Sequence, residues 1–316
     1  MSYKILVATR SFGSTSPKPW DVLNQEGCEI VKADMSQRIT EERLIELLKG
    51  MDGAIIGVLP MTAHVIQNSP SLKVVSMHGV GVDHIDLTAA ANSGVVIANC
   101  LGMNDQSVAD LTLGLMISIA RNIPSVDGSL RKGGWGAHAG NELWNKTLGL
   151  VGLGRIGRGV TKRALGFDMK VLAYDPYVRY EDILPGISLM SFEDVLGQAD
   201  YVSLHAALTE ETRHMIGADQ LKIMKPSAYF INTSRGALVD EEALYTALTQ
   251  KQIAGAALDV FNEEPPKDSP LLGLENLVVT PHIGAHTRES IERVGIMAAE
   301  NVLRTLKGGQ PHNRVA

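Results

Sequence analysis

Residues 148–157 read Leu-Gly-Leu-Val-Gly-Leu-Gly-Arg-Ile-Gly, and this stretch decides the fold of the chain. Its first residues form a short apolar run typical of a buried strand, and the segment that follows can form a helix. Gly152 allows a tight turn between them, Gly154 lets backbone amides approach a pyrophosphate, and Gly157 allows close packing of helix on strand. Asp175 ends the next predicted strand and can accept hydrogen bonds from a ribose. The stretch therefore predicts a dinucleotide site, and the carboxylate favours NAD over NADP.

Apolar runs alternate with helical patterns on both sides of this motif. The first series of runs covers residues 5–8, 54–58, 72–77 and 95–98, and the second covers 148–152, 170–174, 201–204, 228–231, 254–258 and 277–279. Such alternation predicts α/β architecture with parallel sheets, so we expect two doubly wound domains. A last helix, residues 288–306, follows the second series and is free to return to the first domain.

Composition narrows the functional classes. The chain has 316 residues, 45% of them hydrophobic and 20% charged, which is typical of a globular protein with two domains. Its net charge of −6 and 5% aromatic content disfavour nucleic-acid binding. Two cysteines can form neither a disulfide framework nor a cysteine-based zinc site, and they suit a reducing compartment. We therefore expect a cytoplasmic protein that takes a small soluble ligand and no metal.

The longest apolar run, residues 111–120, is half the length needed to cross a membrane. It predicts a buried helix rather than a membrane span. Because this helix has no wide polar face, we expect a second domain or another subunit to cover it. A homodimer is the expected assembly.

Ligands of open α/β sheets bind beyond the carboxyl ends of the strands. In the second series those ends have residues of functional types: Gly152, Asp175, His205, residues 233–236, Asp259 and residues 281–284. Downstream of the glycine motif, Arg235, Glu264 and His282 together form a chemically complete set for hydride transfer to a 2-keto acid. Arg235 offers a planar fork for a carboxylate, His282 can exchange a proton near neutral pH, and Glu264 would fix the tautomer of that imidazole. Taken singly, each also fits an ordinary surface charge or a structural histidine.

The order and spacing of these motifs resemble those of the D-isomer-specific 2-hydroxyacid dehydrogenases. The resemblance rests on Asn-Thr-Ser-Arg-Gly at 232–236, Asp-Val-Phe-Asn-Glu-Glu-Pro at 259–265 and Pro-His-Ile-Gly at 281–284. Residues 78–86 are similar to the substrate loop of that family, and residues 107–110 to its hinge helix, although Asp110 stands where the family usually has Glu. Residues 149–178 are most similar to 3-phosphoglycerate dehydrogenases, and the length fits a short form without a regulatory domain.

The resemblance implies a Rossmann NAD-binding domain, residues 100–285, inserted in a flavodoxin-like substrate domain, residues 1–99 and 286–316. It implies that Arg235, Glu264 and His282 are catalytic, that Arg235 binds the substrate carboxylate with the backbone of Gly79 and Val80, and that Asp259 meets the nicotinamide amide. The full set of expected cofactor-binding residues is Gly152, Gly154, Arg155, Ile156, Gly157, Asp175, Ala206, Thr233, Ser234, Asp259, Gly284 and Ala285.

The substrate stays open between two classes. Phosphoglycerate dehydrogenases resemble phosphate binders that place arginines in the loop after Ile56 and just before the Gly79 loop. This chain has Gly57-Val58-Leu59-Pro60 and Met77-His78 at those two places. A partial charge on His78, or Arg10 or Lys18, could still compensate a phosphate. Glyoxylate or hydroxypyruvate is an equal expectation. A further alternative is an NAD-sensing protein similar to transcriptional corepressors, with vestigial catalysis.

Overall fold

The computed structural model describes residues 2–136, 138–183 and 185–316. Its strands are β1 (Lys4–Ala8), β2 (Glu29–Lys32), β3 (Gly53–Ile56), β4 (Val74–Met77), β5 (Val96–Ala98), β6 (Thr147–Val151), β7 (Lys170–Tyr174), β8 (Ile187–Leu189), β9 (Tyr201–Leu204), β10 (Tyr229–Asn232), β11 (Gly255–Leu258) and β12 (Leu277–Val279). Its helices are α1 (Lys18–Gln25), α2 (Glu41–Leu48), α3 (Ala63–Gln67), α4 (Leu87–Asn92), α5 (Asp105–Ala120), α6 (Ile123–Arg131), α7 (Arg155–Leu165), α8 (Phe192–Gln198), α9 (Ala218–Ile223), α10 (Glu241–Thr249) and α11 (Arg288–Leu306).

The chain divides into two compact units. Unit 1 consists of Met1–Asn104 with Ala285–Ala316, and unit 2 is Asp105–Gly284. Each unit has its own parallel sheet, which confirms the predicted α/β class with two parallel-sheet domains.

Unit 1 contains a five-stranded parallel sheet in the order β2-β1-β3-β4-β5, the flavodoxin-like order. The central strands are buried on both faces, and α11 packs against β3, β4 and α1. The predicted helix at 288–306 is thereby confirmed. Strand β2 was not predicted, because this edge strand has exposed Glu29 and Lys32 at its ends and lacks a continuous apolar run.

Unit 2 contains seven parallel strands in the order β12-β11-β10-β9-β6-β7-β8. Six of them coincide with the predicted second series. The seventh, β8, has only three residues at the edge of the sheet and gave no periodic signal. The chain adds strands outward in one direction from β6 and in the other from β9. The carboxyl ends of these two strands therefore border the crevice in which open α/β sheets bind ligands.

The apolar helix α5 is longer than predicted, since it begins at Asp105. It packs against α7, β10 and β11, all in unit 2, and Leu113, Met116 and Ile119 are buried there. The expectation that a second domain or subunit must provide most of its cover was therefore wrong: the sheet and a neighbouring helix of the same unit do so.

Helix α6 was not predicted. None of its residues is buried, and Leu130 is 55% exposed. The aromatic side chain of Trp135, shortly after the helix, is 94% exposed. Among the described helices, none is long and apolar enough to cross a membrane.

Candidate active site

The glycine motif forms the turn between β6 and α7. Gly152 has φ +99°, and a Cβ atom there would lie 2.7 Å from the carbonyl carbon of His205, so only glycine fits. A Cβ on Gly157 would overlap the carbonyl oxygen of Gly152. Gly154 caps α7 with no heavy atom close to the position of a Cβ, which leaves its backbone approachable. The turn thus fits the pyrophosphate of a dinucleotide at the N-terminus of α7, an 11-residue helix whose first two residues are Arg155 and Ile156.

Asp175 is tied to this turn. Its Oδ2 accepts a hydrogen bond from the Leu153 amide at 2.8 Å, and its Oδ1 accepts one from the Tyr177 amide at 2.9 Å. The carboxylate is therefore held beside the glycine motif at the end of β7, where a ribose of the dinucleotide would lie.

Asn232 organises the loop that presents Arg235. The side chain of Asn232, only 1% exposed, accepts from the Ser234 amide at 2.9 Å and donates to the Arg235 carbonyl at 2.8 Å. Ser234 Oγ donates to the Leu204 carbonyl at 2.7 Å, which ties the loop to the end of β9. The guanidinium of Arg235 donates from Nη1 to the Ser234 carbonyl at 2.7 Å. The sequence motif indicated no role for Asn232. The one feature of the sequence that could have suggested a role is that a polar residue ends an otherwise apolar strand.

His282 and Glu264 form a direct pair. His282 Nδ1 lies 2.8 Å from Glu264 Oε2, and the two side chains are 43% and 38% exposed. The hydrogen bond that His282 donates to Glu264 raises the pKa of His282 against the opposing effect of burial, and Arg235 lowers this pKa. Burial opposes ionisation of Glu264, but His282, the Phe261 amide and Arg235 together hold the pKa of this carboxyl below its usual value. The pair thus shifts the protonation equilibrium of His282 towards the imidazolium form, relative to an isolated histidine.

Asp259 anchors the turn that contains His282. The carboxylate is 1% exposed and accepts from Thr280 Oγ1 at 2.6 Å and from the Ile283 and Gly284 amides at 2.8 Å each. Its carbonyl accepts from the His282 amide at 2.8 Å. His282 itself has φ +52°, a conformation that non-glycine residues rarely adopt and that these four bonds hold in place. Sequence reasoning missed Thr280, which no motif marked.

Gly236 links the loop of Arg235 to the turn of Glu264. A Cβ on Gly236 would overlap the backbone of Phe261 and Asn262, so the two backbone segments pack directly together. The Phe261 amide also donates to the Glu264 carboxylate at 3.2 Å. The contact between Gly236 and Phe261 therefore helps to fix the position of Glu264 relative to the loop of Arg235. Glu263, the other half of the acidic doublet, is exposed.

The remaining predicted site residues fall in both units. Ala206 and Thr233 lie in unit 2, and Thr233 Oγ1 is 3.1 Å from the buried hydroxyl of Thr112. Gly79, Val80 and Ala285 belong to unit 1. The carbonyls of Gly79 and Val80 accept from the Cys100 amide at 2.8 Å and from Asn99 Nδ2 at 2.9 Å, which shapes the backbone of that loop. Within the described ranges, no cluster of three His, Cys, Asp or Glu residues could hold a metal ion.

Comparison with known proteins agrees with this geometry. The family model of the D-isomer specific 2-hydroxyacid dehydrogenase, NAD binding domain, matches residues 113–284. The chain is 43% identical to the D-3-phosphoglycerate dehydrogenase of Methanocaldococcus jannaschii over 91% of its own length and 56% of the relative's. It is 39% identical to the hydroxypyruvate reductase of Thermotoga maritima over 90% of its length and 93% of the relative's. The crystal structure of the TT0316 protein from Thermus thermophilus superposes with a TM-score of 0.91 at 38% identity, covering 99% of this chain and all of the other.

A parallel-sheet unit with a glycine turn, joined to an arginine, glutamate and histidine on one sheet edge, defines a dinucleotide-dependent dehydrogenase class. The chain belongs to the D-isomer specific 2-hydroxyacid dehydrogenase family. It spans little more than half the length of the phosphoglycerate dehydrogenase relatives that it matches.

Proposed function

We propose that this protein is an NAD-dependent oxidoreductase that interconverts a small 2-keto acid and the corresponding D-2-hydroxy acid. The observation that carries the proposal is the pair of His282 and Glu264, 2.8 Å apart, with the charge of Arg235 acting on both. An acid/base of raised pKa next to a carboxylate-binding guanidinium is what reduction of a 2-keto acid needs.

We assign unit 2 to the cofactor and unit 1 to the substrate. The bound cofactor, NAD(H), supplies or accepts the hydride. Its pyrophosphate is assigned to the turn of Gly152 and Gly154 and its ribose to Asp175, whose negative charge would repel a 2′-phosphate. Further contacts are assigned to Ala206, Thr233, Ser234, Gly284 and Ala285. For Asp259 we retain a contact with the nicotinamide amide, although three of the acceptor positions of its carboxylate are already used by unit 2 itself.

The protein's own residues then divide the work. Arg235 and the backbone of Gly79 and Val80 bind the carboxylate of the substrate, which fixes carbon 2. Glu264 holds Nδ1 of His282, so the proton exchanged with the substrate oxygen is the one on Nε2. During reduction that proton moves to the carbonyl oxygen as hydride reaches carbon 2, and solvent reprotonates His282. The sum is 2-keto acid, NADH and one proton giving D-2-hydroxy acid and NAD⁺.

The test follows the absorbance of NADH with hydroxypyruvate, glyoxylate, pyruvate and 3-phosphohydroxypyruvate in parallel, and with NADPH as a control. We expect turnover of at least one keto acid and a preference for NADH. A His282→Ala variant should still bind NADH in a fluorescence titration and lose turnover, because only the proton donor is removed. NADH binding without turnover of any keto acid by the wild-type protein would favour the corepressor-like alternative.

We further propose a homodimer that uses the surface of α6. Helices of nine residues are marginal in water without tertiary packing, yet α6 has no buried residue. Leu130, Trp135 and Trp144 lie exposed on and after it at 55%, 94% and 59%. A second copy of the chain would bury them.

Light scattering coupled to size exclusion tests the dimer. Leu130→Glu should yield monomers, whereas Val315→Glu, which changes an exposed apolar residue of unit 1, should not. A monomeric wild-type protein at micromolar concentration contradicts the proposal.

We also propose a cytoplasmic location. It is supported by Cys28 and Cys100, neither of which is in a disulfide in the described part of the chain.

A further inference from the structure

The sheet order of unit 1 indicates where this unit binds a ligand. In the order β2-β1-β3-β4-β5, the connections leave β1 and β3 in opposite directions, so a crevice opens between the carboxyl ends of these two strands. The loops bordering it are residues 9–17 after β1 and residues 57–62 after β3. The loop of residues 78–86, after β4, comes next.

Charge is scarce at this edge. Residues 57–62 and 78–86 contain no Lys or Arg, but they include Asp83 and Asp86. The guanidinium of Arg10, after β1, donates from Nε to the Met35 carbonyl at 2.9 Å. Lys18, at the start of α1, forms an ion pair with Glu292 at 2.8 Å. Arg10 and Lys18, the cations of residues 9–18, therefore already have partners within unit 1.

His78 does not replace them. Its Nδ1 lies 3.1 Å from Ser11 Oγ, and its Nε2 is shielded from solvent with no hydrogen-bond partner among the described residues. Phe12 packs against the ring with a centroid distance of 5.8 Å. Burial, together with a smaller effect of His286, lowers the pKa of His78 to about 4. The imidazole is thus a neutral part of the wall whose nitrogen atoms point into the protein.

What the crevice does offer is neutral. Thr9 Oγ1 and Ser11 Oγ are 3.2 Å apart, and Gly57 lies against the Thr9 side chain. Val58 in the loop after β3 is 74% exposed. Hydroxyl groups and an apolar side chain suit a small uncharged group, whereas a phosphate dianion would lose its hydration without a cation in exchange.

We propose that the substrate of this protein is a short 2-keto acid whose group beyond carbon 2 is uncharged, such as glyoxylate or hydroxypyruvate, and that the crevice between β1 and β3 selects against a phosphate. This inference rests on the proposed function. It chooses between two substrate classes that the names of the relatives leave open.

A matched pair of substrates tests the inference. With saturating NADH, kcat/KM for hydroxypyruvate should exceed that for 3-phosphohydroxypyruvate by about tenfold to a hundredfold, the factor expected when a charged group lacks its partner. A preference of tenfold or more for the phosphorylated acid overturns the inference and leaves the proposed function standing. No turnover of any keto acid, with NADH binding intact, refutes the proposed function and the inference together.

A variant pair locates the selection in the crevice. Val58→Arg adds a cation at an exposed position, and Val58→Gln adds similar length without charge. The ratio of kcat/KM for the phosphorylated over the unphosphorylated acid should rise at least about tenfold in Val58→Arg relative to Val58→Gln. Equal ratios in the two variants would show that the loop after β3 does not face the substrate and would overturn the assignment.

Discussion

Asp259 provides the sharpest test of how the site is held together. Replacing it with Asn keeps the shape of the side chain but leaves one oxygen to accept where the carboxylate has two. If that oxygen keeps Thr280 and Ile283, the new amide group faces the Gly284 N–H, and two donors oppose each other. One charge-assisted bond is lost, worth about 1.5–3 kcal/mol, and two others weaken, while the neutral amide escapes part of the cost of burying a charge. The net loss expected for the turn is about 2 kcal/mol.

Amide hydrogen exchange in the cofactor-free protein measures this loss directly. About 2 kcal/mol corresponds to roughly 30-fold faster exchange of the Ile283 and Gly284 amides. The control, Asp219→Asn, changes an exposed carboxylate on α9 and should leave those amides unaffected. Unchanged exchange in Asp259→Asn, combined with a raised KM for NADH, would mean that Asp259 acts on the cofactor and does not hold the turn of His282.

Three further variants probe the proposed catalytic residues and the backbone contact that holds them. Arg235→Lys replaces a planar fork with a point charge, so initial rates should give a kcat/KM lower by roughly 10- to 150-fold, and a loss below about threefold would remove Arg235 from the carboxylate site. In Glu264→Gln the pKa of His282 should fall, because the group that contributes most to raising it is gone; the protonated form is then lost at lower pH, so the rate of reduction should decline at a lower pH than in wild type. An unmoved profile separates the two residues. Gly236→Ala forces a methyl group into the Phe261 backbone, so turnover should fall by more than tenfold while NADH titration still reports binding, and wild-type rates would contradict the packing described.

The fold was largely predictable because buried parallel strands have continuous apolar sequences. The apolar residues of β6, β9 and β10 predict buried strands, and the glycine motif marks the turn that follows β6. The edge strands β2 and β8 were not predicted because neither has a continuous apolar run: β2 has exposed Glu29 and Lys32 at its ends, and β8 has only three residues. The edge strands β5 and β12 were predicted because their sequences are apolar. Helix α6 escaped because its residues are exposed within a single chain.

The chemistry of the candidate site was predictable, and its supports were not. Arg235, Glu264 and His282 have reactive side chains in motifs that can be recognised in sequence. Thr280 donates to Asp259, which lies 21 residues away in sequence. Asn232 bonds to Ser234 and Arg235 only because the loop folds back on it. A threonine or an asparagine in a loop has no distinctive sequence pattern. The role of Asp259 in holding its own turn likewise needed coordinates, because sequence shows a carboxylate and not what surrounds it.

The contact between Gly236 and the Phe261 backbone has a consequence for altering this protein. The loop that contains Arg235 and the turn that contains Glu264 touch through main-chain atoms. A substitution that moves one of these segments should therefore move the other as well. Diversity of substrates must then come from elsewhere. With unit 1 as the proposed substrate unit, the loops at residues 9–17 and 57–62 are the places where a library of variants should change which keto acid is accepted, while His282, the proposed proton donor, keeps its position.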